Sequence, residues 1–188
     1  MTHLKISPSG INLIKKFEGL HKQTAEGDVR AYRCVAGRWT LGWGHTKSVR
    51  SGMRATIEEC EGYLAEDLRE VGQYINALVD VPLNQPHFDS LSSFVFNLGV
   101  GNFKKSTLLK KLNQGNYNDI PSELMRWNKA RVEGVLTSLP GLTRRRAAEA
   151  ALFSMTSSLA SEEGGELMPQ KIEESCENKS IFTRWFNR

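Results

Sequence analysis

The chain has 188 residues, 39% of them hydrophobic and 24% charged, a globular composition that excludes collagen, coiled coil and wholesale disorder. A fold of this size buries about 70% of the surface its unfolded chain exposes, so a conventional core suffices for one domain or two small lobes. The net charge of +4 is unevenly placed: residues 155–188 carry six acids and four bases, which leaves 21 bases against 15 acids elsewhere. A basic body suits a polyanionic partner such as nucleic acid, a membrane surface or a bacterial envelope, and it serves solubility equally well. The three cysteines, Cys34, Cys60 and Cys176, have no C-x-x-C spacing, which fits a reducing compartment and argues against zinc and disulfide frameworks. No stretch approaches the ~20 apolar residues of a membrane span. The opening MTHLKISPSG lacks the apolar core of a signal peptide, so a soluble cytosolic protein is expected.

Ser7-Pro8 reads as an N-cap and a first-turn proline. Ile11, Ile14 and Phe17 then recur at three-residue spacing until Gly19, which places Glu18 in the last helical turn. From 30 to 46 the chain turns to aromatics, Val and Thr punctuated by Gly37, Gly42 and Gly44, a pattern for a small β-hairpin or three-stranded sheet. Thr56 with Glu59 forms a capping box, and Ile57, Leu64, Leu68, Val71, Ile75 and Leu78 follow at helical spacing up to Pro82. Further helical patterns at 88–98, 106–113, 121–129 and 143–153 are separated by Gly99, Gly101, Gly115 and Pro140-Gly141, so the second half reads as all-helical. Beyond Ser154 the chain is rich in Ser, Glu and Gly and ends in an aromatic, arginine-bearing IFTRWFNR, which suits either a flexible tail or an interfacial segment. The expected fold is α+β and mainly α, two-lobed: a β-lobe over about 20–55, a linking helix over about 56–80, a helical lobe over about 80–154, and a polar, flexible tail over 155–188.

An acid at a helix C-terminus faces the negative end of the helix dipole, and burial beside Phe17 further disfavours its ionised form. Both effects favour a protonated Glu18, the state in which a glycosidase protonates its leaving oxygen. Glu26-Gly27 repeats the dipeptide Glu18-Gly19 closer to Tyr32, yet its polar loop supplies no such bias. His45, after Gly-Trp-Gly, reads as a structural hydrogen-bonding residue or a catalytic auxiliary. Gly42 and Gly44 lack the third glycine and following helix of a dinucleotide fingerprint. Met125, Trp127, Trp39 and Trp43 offer sugar-stacking surfaces or core. The run Arg144 to Arg146 reads as a solvated face offsetting Glu149, or as a patch for an anionic wall.

The runs LIKKFEG at 13–19, AYRCVAGRWTLGWGHT at 31–46, FDSLSSFVFNLGVGNFKKSTLLKKLNQG at 88–115 and LPGLTRRRAAEAALF at 139–153 resemble the phage-type lysozymes of glycoside hydrolase family 24, the phage endolysins. The resemblance covers residues 7–154 in order. It implies a lysozyme-like fold and hydrolysis of the β-1,4 bond between N-acetylmuramic acid and N-acetylglucosamine of peptidoglycan. It further implies Glu18 as general acid, with Cys34 and Thr40, six residues apart, in the family's second and third catalytic positions. Asn97, Gly99, Phe103 and Ser106 fall where the family lines its cleft from the helical lobe, with Asn97 and Ser106 expected to contact sugar or peptide, while Trp43, flanking Thr40 with Trp39, is a candidate substrate surface on one face. Two departures stand out: the stretch HKQTAEGDVR before Tyr32 is longer than in the simplest members, and Cys34 replaces the commoner Asp.

An inverting glycosidase needs a second group, about 6.5–9.5 Å from the acid, to activate a water. A thiol near its ordinary value of about 8.5 is mostly neutral at pH 7. Cys34 therefore works as a thiolate favoured by Arg33 or Arg38, or is supplemented by Asp28 or Glu26. No metal or organic cofactor is implied. The expected partner of this monomer is bacterial peptidoglycan, with a weak envelope or membrane contact through the basic body or tail and no nucleic acid. The expected location is the bacterial host cytoplasm, with holin-type release to the wall. A lytic transglycosylase using Glu18 alone and a catalytically silent peptidoglycan-binding protein are the alternatives.

Overall fold

A computed structural model describes residues 3–34, 37–132 and 134–155. The tail from 156 onward, including IFTRWFNR and Cys176, lies outside them.

Helix α1 spans Pro8–Glu18, and Ser7 caps it as its sequence predicts, its Oγ accepting from the Gly10 N–H at 3.3 Å. The same Ser7 binds Asp89 through both backbone N–H (2.9 Å) and hydroxyl, which ties the start of α1 to the second lobe. Four short strands follow: β1 (Val29–Arg30), β2 (Tyr32–Arg33), β3 (Trp39–Thr40) and β4 (Arg54–Ala55). They pair antiparallel as two separate ladders, β1 with β4 and β2 with β3, rather than as one three-stranded sheet. Each strand is only two residues long and glycine turns intervene, so no common ladder propagates.

Helix α2 (Ile57–Leu78) opens with the complete capping box, Thr56 and Glu59 each bonding the other's backbone N–H at 3.1 and 2.8 Å. Its buried Leu64, Leu68, Val71 and Ile75 lie on one face. Helix α3 (Gln85–Leu98) is buried from Phe88 to Leu98 without interruption, which identifies it as the central helix of the fold. Around it lie α4 (Val100–Lys105), α5 (Thr107–Asn113), α6 (Ile120–Met125) after a 3₁₀ turn at Tyr117–Asp119, and α7 (Pro140–Phe153).

The second lobe differs from its sequence reading in three places. Gly101 does not mark a turn but lies inside α4. The helix expected through 129 stops at Met125, and an antiparallel hairpin of β5 (Lys129–Val132) and β6 (Val135–Ser138) follows. Pro140 starts α7, where its missing N–H costs nothing. The lobe is therefore helical with one hairpin. A single apolar core runs from Ile14 and Leu41 through Leu64 and Ile75 to Phe88, Phe94, Phe103 and Leu112. Among the described residues no helix is long and apolar enough to cross a membrane.

Candidate active site

Gly19, at φ 67°, ends α1, and its N–H bonds the Lys15 carbonyl at 3.0 Å. His21 then folds back, its ring Nε2 donating to the Glu18 carbonyl at 2.9 Å. Glu18 is 9% exposed. The turn at 41–45 closes over it, with Leu41 and His45 exchanging backbone hydrogen bonds of 2.9 and 3.0 Å. Both glycines of that turn have positive φ, 57° for Gly42 and 97° for Gly44; a Cβ on Gly42 would also clash with Cys60 Cβ at 2.9 Å, while Gly44 lies beside Glu18 Oε2, 3.6 Å from where its Cβ would stand. The result is a small pocket lined by Glu18, Cys34, Arg38, Gly44 and Thr46 from the first lobe and by Phe96 and Asn97 from α3. It adjoins, through Arg38 and Thr46, a cleft of about 410 Å³ whose walls include Lys47, Asp67, Glu70 and Tyr74 on one side and Leu98, Gly99 and Val100 on the other. Glu18 lines the smaller cavity, and Asp67 and Glu70 line the larger one beside it.

Beneath the pocket lies a buried charge cluster. Arg145 Nη1 bonds Glu18 Oε1 at 2.6 Å, its Nε bonds Glu149 Oε1 at 3.1 Å, and its Nη2 reaches the Ser93 carbonyl at 3.2 Å. Arg146 Nη2 bonds both Asn97 Oδ1 and Glu149 Oε1 at 3.0 Å. Arg145, Arg146 and Glu149 have no exposed surface. The basic run read as a solvated face or wall-binding patch is thus, apart from exposed Arg144, part of the interior. The reason is that α7 packs directly on α3 and α6, so these positions face inward. Burial, partly offset by Glu149 and reinforced by the Arg145 charge, brings Arg146 down to about 10. For Glu18 the fold adds a buried partner, Arg145, that the sequence reading did not contain.

Tyr32 stands beside the pocket, its ring edge-on to His21 at 5.7 Å. Burial, then the charges of Glu18 and Cys34, push its hydroxyl up to about 12, so it stays neutral. Cys34 lines the pocket and is 7% exposed, with its N–H on the Arg38 carbonyl at 2.9 Å. Thr40 is fully buried opposite Tyr32 in the β2–β3 ladder; its hydroxyl also donates to the Arg38 carbonyl, at 3.2 Å.

The other predicted residues divide. Asn97 meets Glu18 at the pocket. Ser106 caps α5, accepting from Leu109 N–H at 3.0 Å and donating to the Phe103 carbonyl at 2.7 Å. Phe103 is wholly buried against Phe94, and Trp43 belongs to the core with Lys15 Nζ 4.5 Å over its ring. Both are occupied by packing, since their aromatic faces complete the apolar interior. Trp127 packs edge-on to Phe94, and Arg33 covers half-buried Trp39 at 5.1 Å. His45 Nδ1 pairs with Asp67 Oδ2 at 3.0 Å, and its ring stacks on Tyr63 at 4.8 Å. Glu26 and Asp28 are not among the residues lining the pocket. The Thr24 hydroxyl and the Glu26 backbone N–H, with Arg54 and Arg30, hold the Glu26 carboxyl below its ordinary range, the wrong direction for an acid catalyst. Sequence reasoning missed Tyr32, Arg145 and Arg146. The signal for the arginines was the spacing of Arg145 and Arg146 to Glu149, four and three residues along α7.

The phage lysozyme family model matches residues 15–149. The endolysin of Acyrthosiphon pisum secondary endosymbiont phage 1 is 47% identical over 150 residues, which is 80% of this chain and 98% of that protein. The muramidase domain of SpmX from Asticaccaulis excentricus superposes with a TM-score of 0.74 at 39% identity, covering 81% of this chain and 99% of that one. A crystal structure of a lysozyme variant of phage P22 superposes with a TM-score of 0.67 at 37% identity, covering 80% and 98%. The chain belongs to the phage lysozyme family, glycoside hydrolases whose endolysins act on peptidoglycan.

Proposed function

We propose that the chain cleaves the β-1,4 bond between N-acetylmuramic acid and N-acetylglucosamine, with Glu18 as the general acid. The observation that carries this reading is the placement of Glu18: one oxygen held by Arg145 at 2.6 Å, the other beside Gly44 in a pocket walled by both lobes. A carboxyl so fixed is oriented toward a bond lying in the cleft, and no side chain must move to aim it. Water attacks from the opposite sugar face, held by Cys34 and Thr40. The Thr40 hydroxyl spends its proton on the Arg38 carbonyl and keeps lone pairs for that water. The enzyme accumulates in the bacterial host cytoplasm and reaches the wall after holin-type release.

Digestion of purified peptidoglycan, followed by mass spectrometry of the muropeptides, tests the reading. Wild type is expected to yield hydrated reducing ends and Glu18→Gln none, with a loss of at least ~10²-fold. Anhydro ends make the protein a transglycosylase, and no soluble product leaves a wall binder. Cys34→Ser with full activity alongside an inactive Asp28→Asn sinks the role given to the thiol.

A further inference from the structure

The cluster under the pocket is an expensive way to fill an interior. Two arginines and a glutamate without exposed surface must be stripped of water, and their mutual attraction repays that only in part. Arg146 Nη1 is buried without a hydrogen-bond partner, so even its donors are not all used. Apolar residues of similar size fill such space equally well or better, so stability does not account for the arrangement. Its connections do. The cluster bonds two side chains that line the pocket, Glu18 through Arg145 and Asn97 through Arg146. These two come from different elements, α1 and α3, and face the substrate from the two lobes.

Both arms meet at one atom. Glu149 Oε1 accepts from Arg145 Nε at 3.1 Å, from Arg146 Nη2 at 3.0 Å and from Ser93 Oγ at 2.6 Å. Its Oε2 lies 2.9 Å from Arg146 Nε. The Glu149 carbonyl, in turn, accepts from Ser90 Oγ at 2.7 Å, which pins this turn of α7 to α3. The guanidinium of Arg146 also lies 5.0 Å over the Phe94 ring, and that of Arg145 5.7 Å over Phe17. Each arginine is thus confined from two sides, and Glu149 is what they share. Glu149 is the carboxylate that both arginines contact, so its loss leaves Arg145 held by Glu18 and Ser93 and Arg146 held by Asn97.

We propose that Glu149 is a positioning residue for the cleavage reaction, holding the carboxyl group of Glu18 through Arg145 and the amide of Asn97 through Arg146. With Arg146 on its Oδ1, Asn97 is left with its NH₂ as the group available to substrate, so Glu149 determines that the pocket wall offers a donor there. The proposal rests on the reading of Glu18 as the general acid.

The test uses the full-length protein with soluble glycan strands prepared from peptidoglycan. Glu149→Gln keeps the shape and removes the charge; it is expected to lower kcat by roughly 10²-fold, the scale of an ångström of misplacement at a catalytic group. It also raises KM by several-fold through the Asn97 arm. In an Asn97→Ala background the KM effect of Glu149→Gln disappears while the kcat effect remains, a split that loss of folding alone does not produce. Ser93→Ala removes one hydroxyl from Glu149 Oε1 and decides the matter if Glu149→Gln fails to fold; it is expected to lower kcat several-fold per folded molecule. Variants that fold and keep wild-type kcat and KM, or whose loss matches the unfolded fraction, overturn the proposal. If Glu18→Gln retains activity, it is the reading of Glu18 that fails, and the Glu149 variants then report on some other acid.

Discussion

The outer face of α2 and the inner face of α7 carry the same kinds of charged residue to opposite ends. On and beside α2, Arg69 pairs with Glu66 at 3.9 Å and Lys47 with Glu70 at 3.4 Å, all with side chains roughly half or more in water. On α7, Arg145, Arg146 and Glu149 make contacts of 2.6 to 3.1 Å with no exposed surface. Exposed pairs are screened and cost chain entropy to hold, so they contribute little. Buried ones become costly the moment one partner is removed. The exposed pairs Arg69–Glu66 and Lys47–Glu70 therefore contribute little, whereas removing one member of the buried set on α7 is costly.

Three measurements press on that contrast. The largest effect is expected for Arg145→Met, which leaves Glu18 and Glu149 in the interior without their shared cation; chemical denaturation should show a loss of ~3–5 kcal/mol. A loss below ~1 kcal/mol would mean that water enters the cluster and that its burial is not what gives it consequence.

A smaller effect, visible only through pH, belongs to His87. It is stacked between Phe153 at 4.2 Å and Tyr117 at 5.4 Å with Nδ1 unpartnered, and burial holds its imidazole below the ordinary 6.5. The unfolded chain then takes up the proton more readily than the folded one. Stability is full above 6.5 and declines as pH falls through it. Glu123 follows the same sign in a lower window. The Thr107 hydroxyl, Lys111 and Arg126 hold its carboxyl below 4.5, and its share of stability is lost only as pH falls beneath that. Melting temperatures taken from about pH 7.5 to about pH 5 should fall in wild type and stay nearly level in His87→Phe; parallel curves would remove His87 from the account. The smallest effect is for Arg69→Ala, within ~0.5 kcal/mol of wild type by denaturant midpoint.

What could be read in advance follows from where the information lay. The starts of α1 and α2 were legible because Ser7-Pro8 and Thr56 with Glu59 are local capping chemistry, and the same residues perform it in the fold. The hairpin of β5 and β6 was not, although Glu133-Gly134 between Val132 and Val135 is a turn signal; the helical pattern around Leu124 and Met125 reads on to 129, and the four-residue strands beyond it carry no clear alternation. Helix α4 was hidden by Gly99 and Gly101, since a six-residue helix starting next to glycine has almost no periodicity to display. Within the site, Glu18 could be singled out because a helix end is a local feature. Its partner could not, because Arg145 is 127 residues away and meets it only through the packing of α1 and α7 against α3. Trp43 and Phe103 show the converse: aromatic residues near a cleft in sequence can still face the core.

That separation also bears on when the protein acquires its activity during synthesis. Glu18 and Arg145 leave the ribosome on the order of ten seconds apart at ordinary translation rates. Until α7 has emerged and docked, a nascent chain holds its acid without the cation that orients it and without the helix that closes the pocket floor. Truncated products lack the same element. The pocket is thus completed only when α7 has been translated, and fragments that stop short of it carry no finished site.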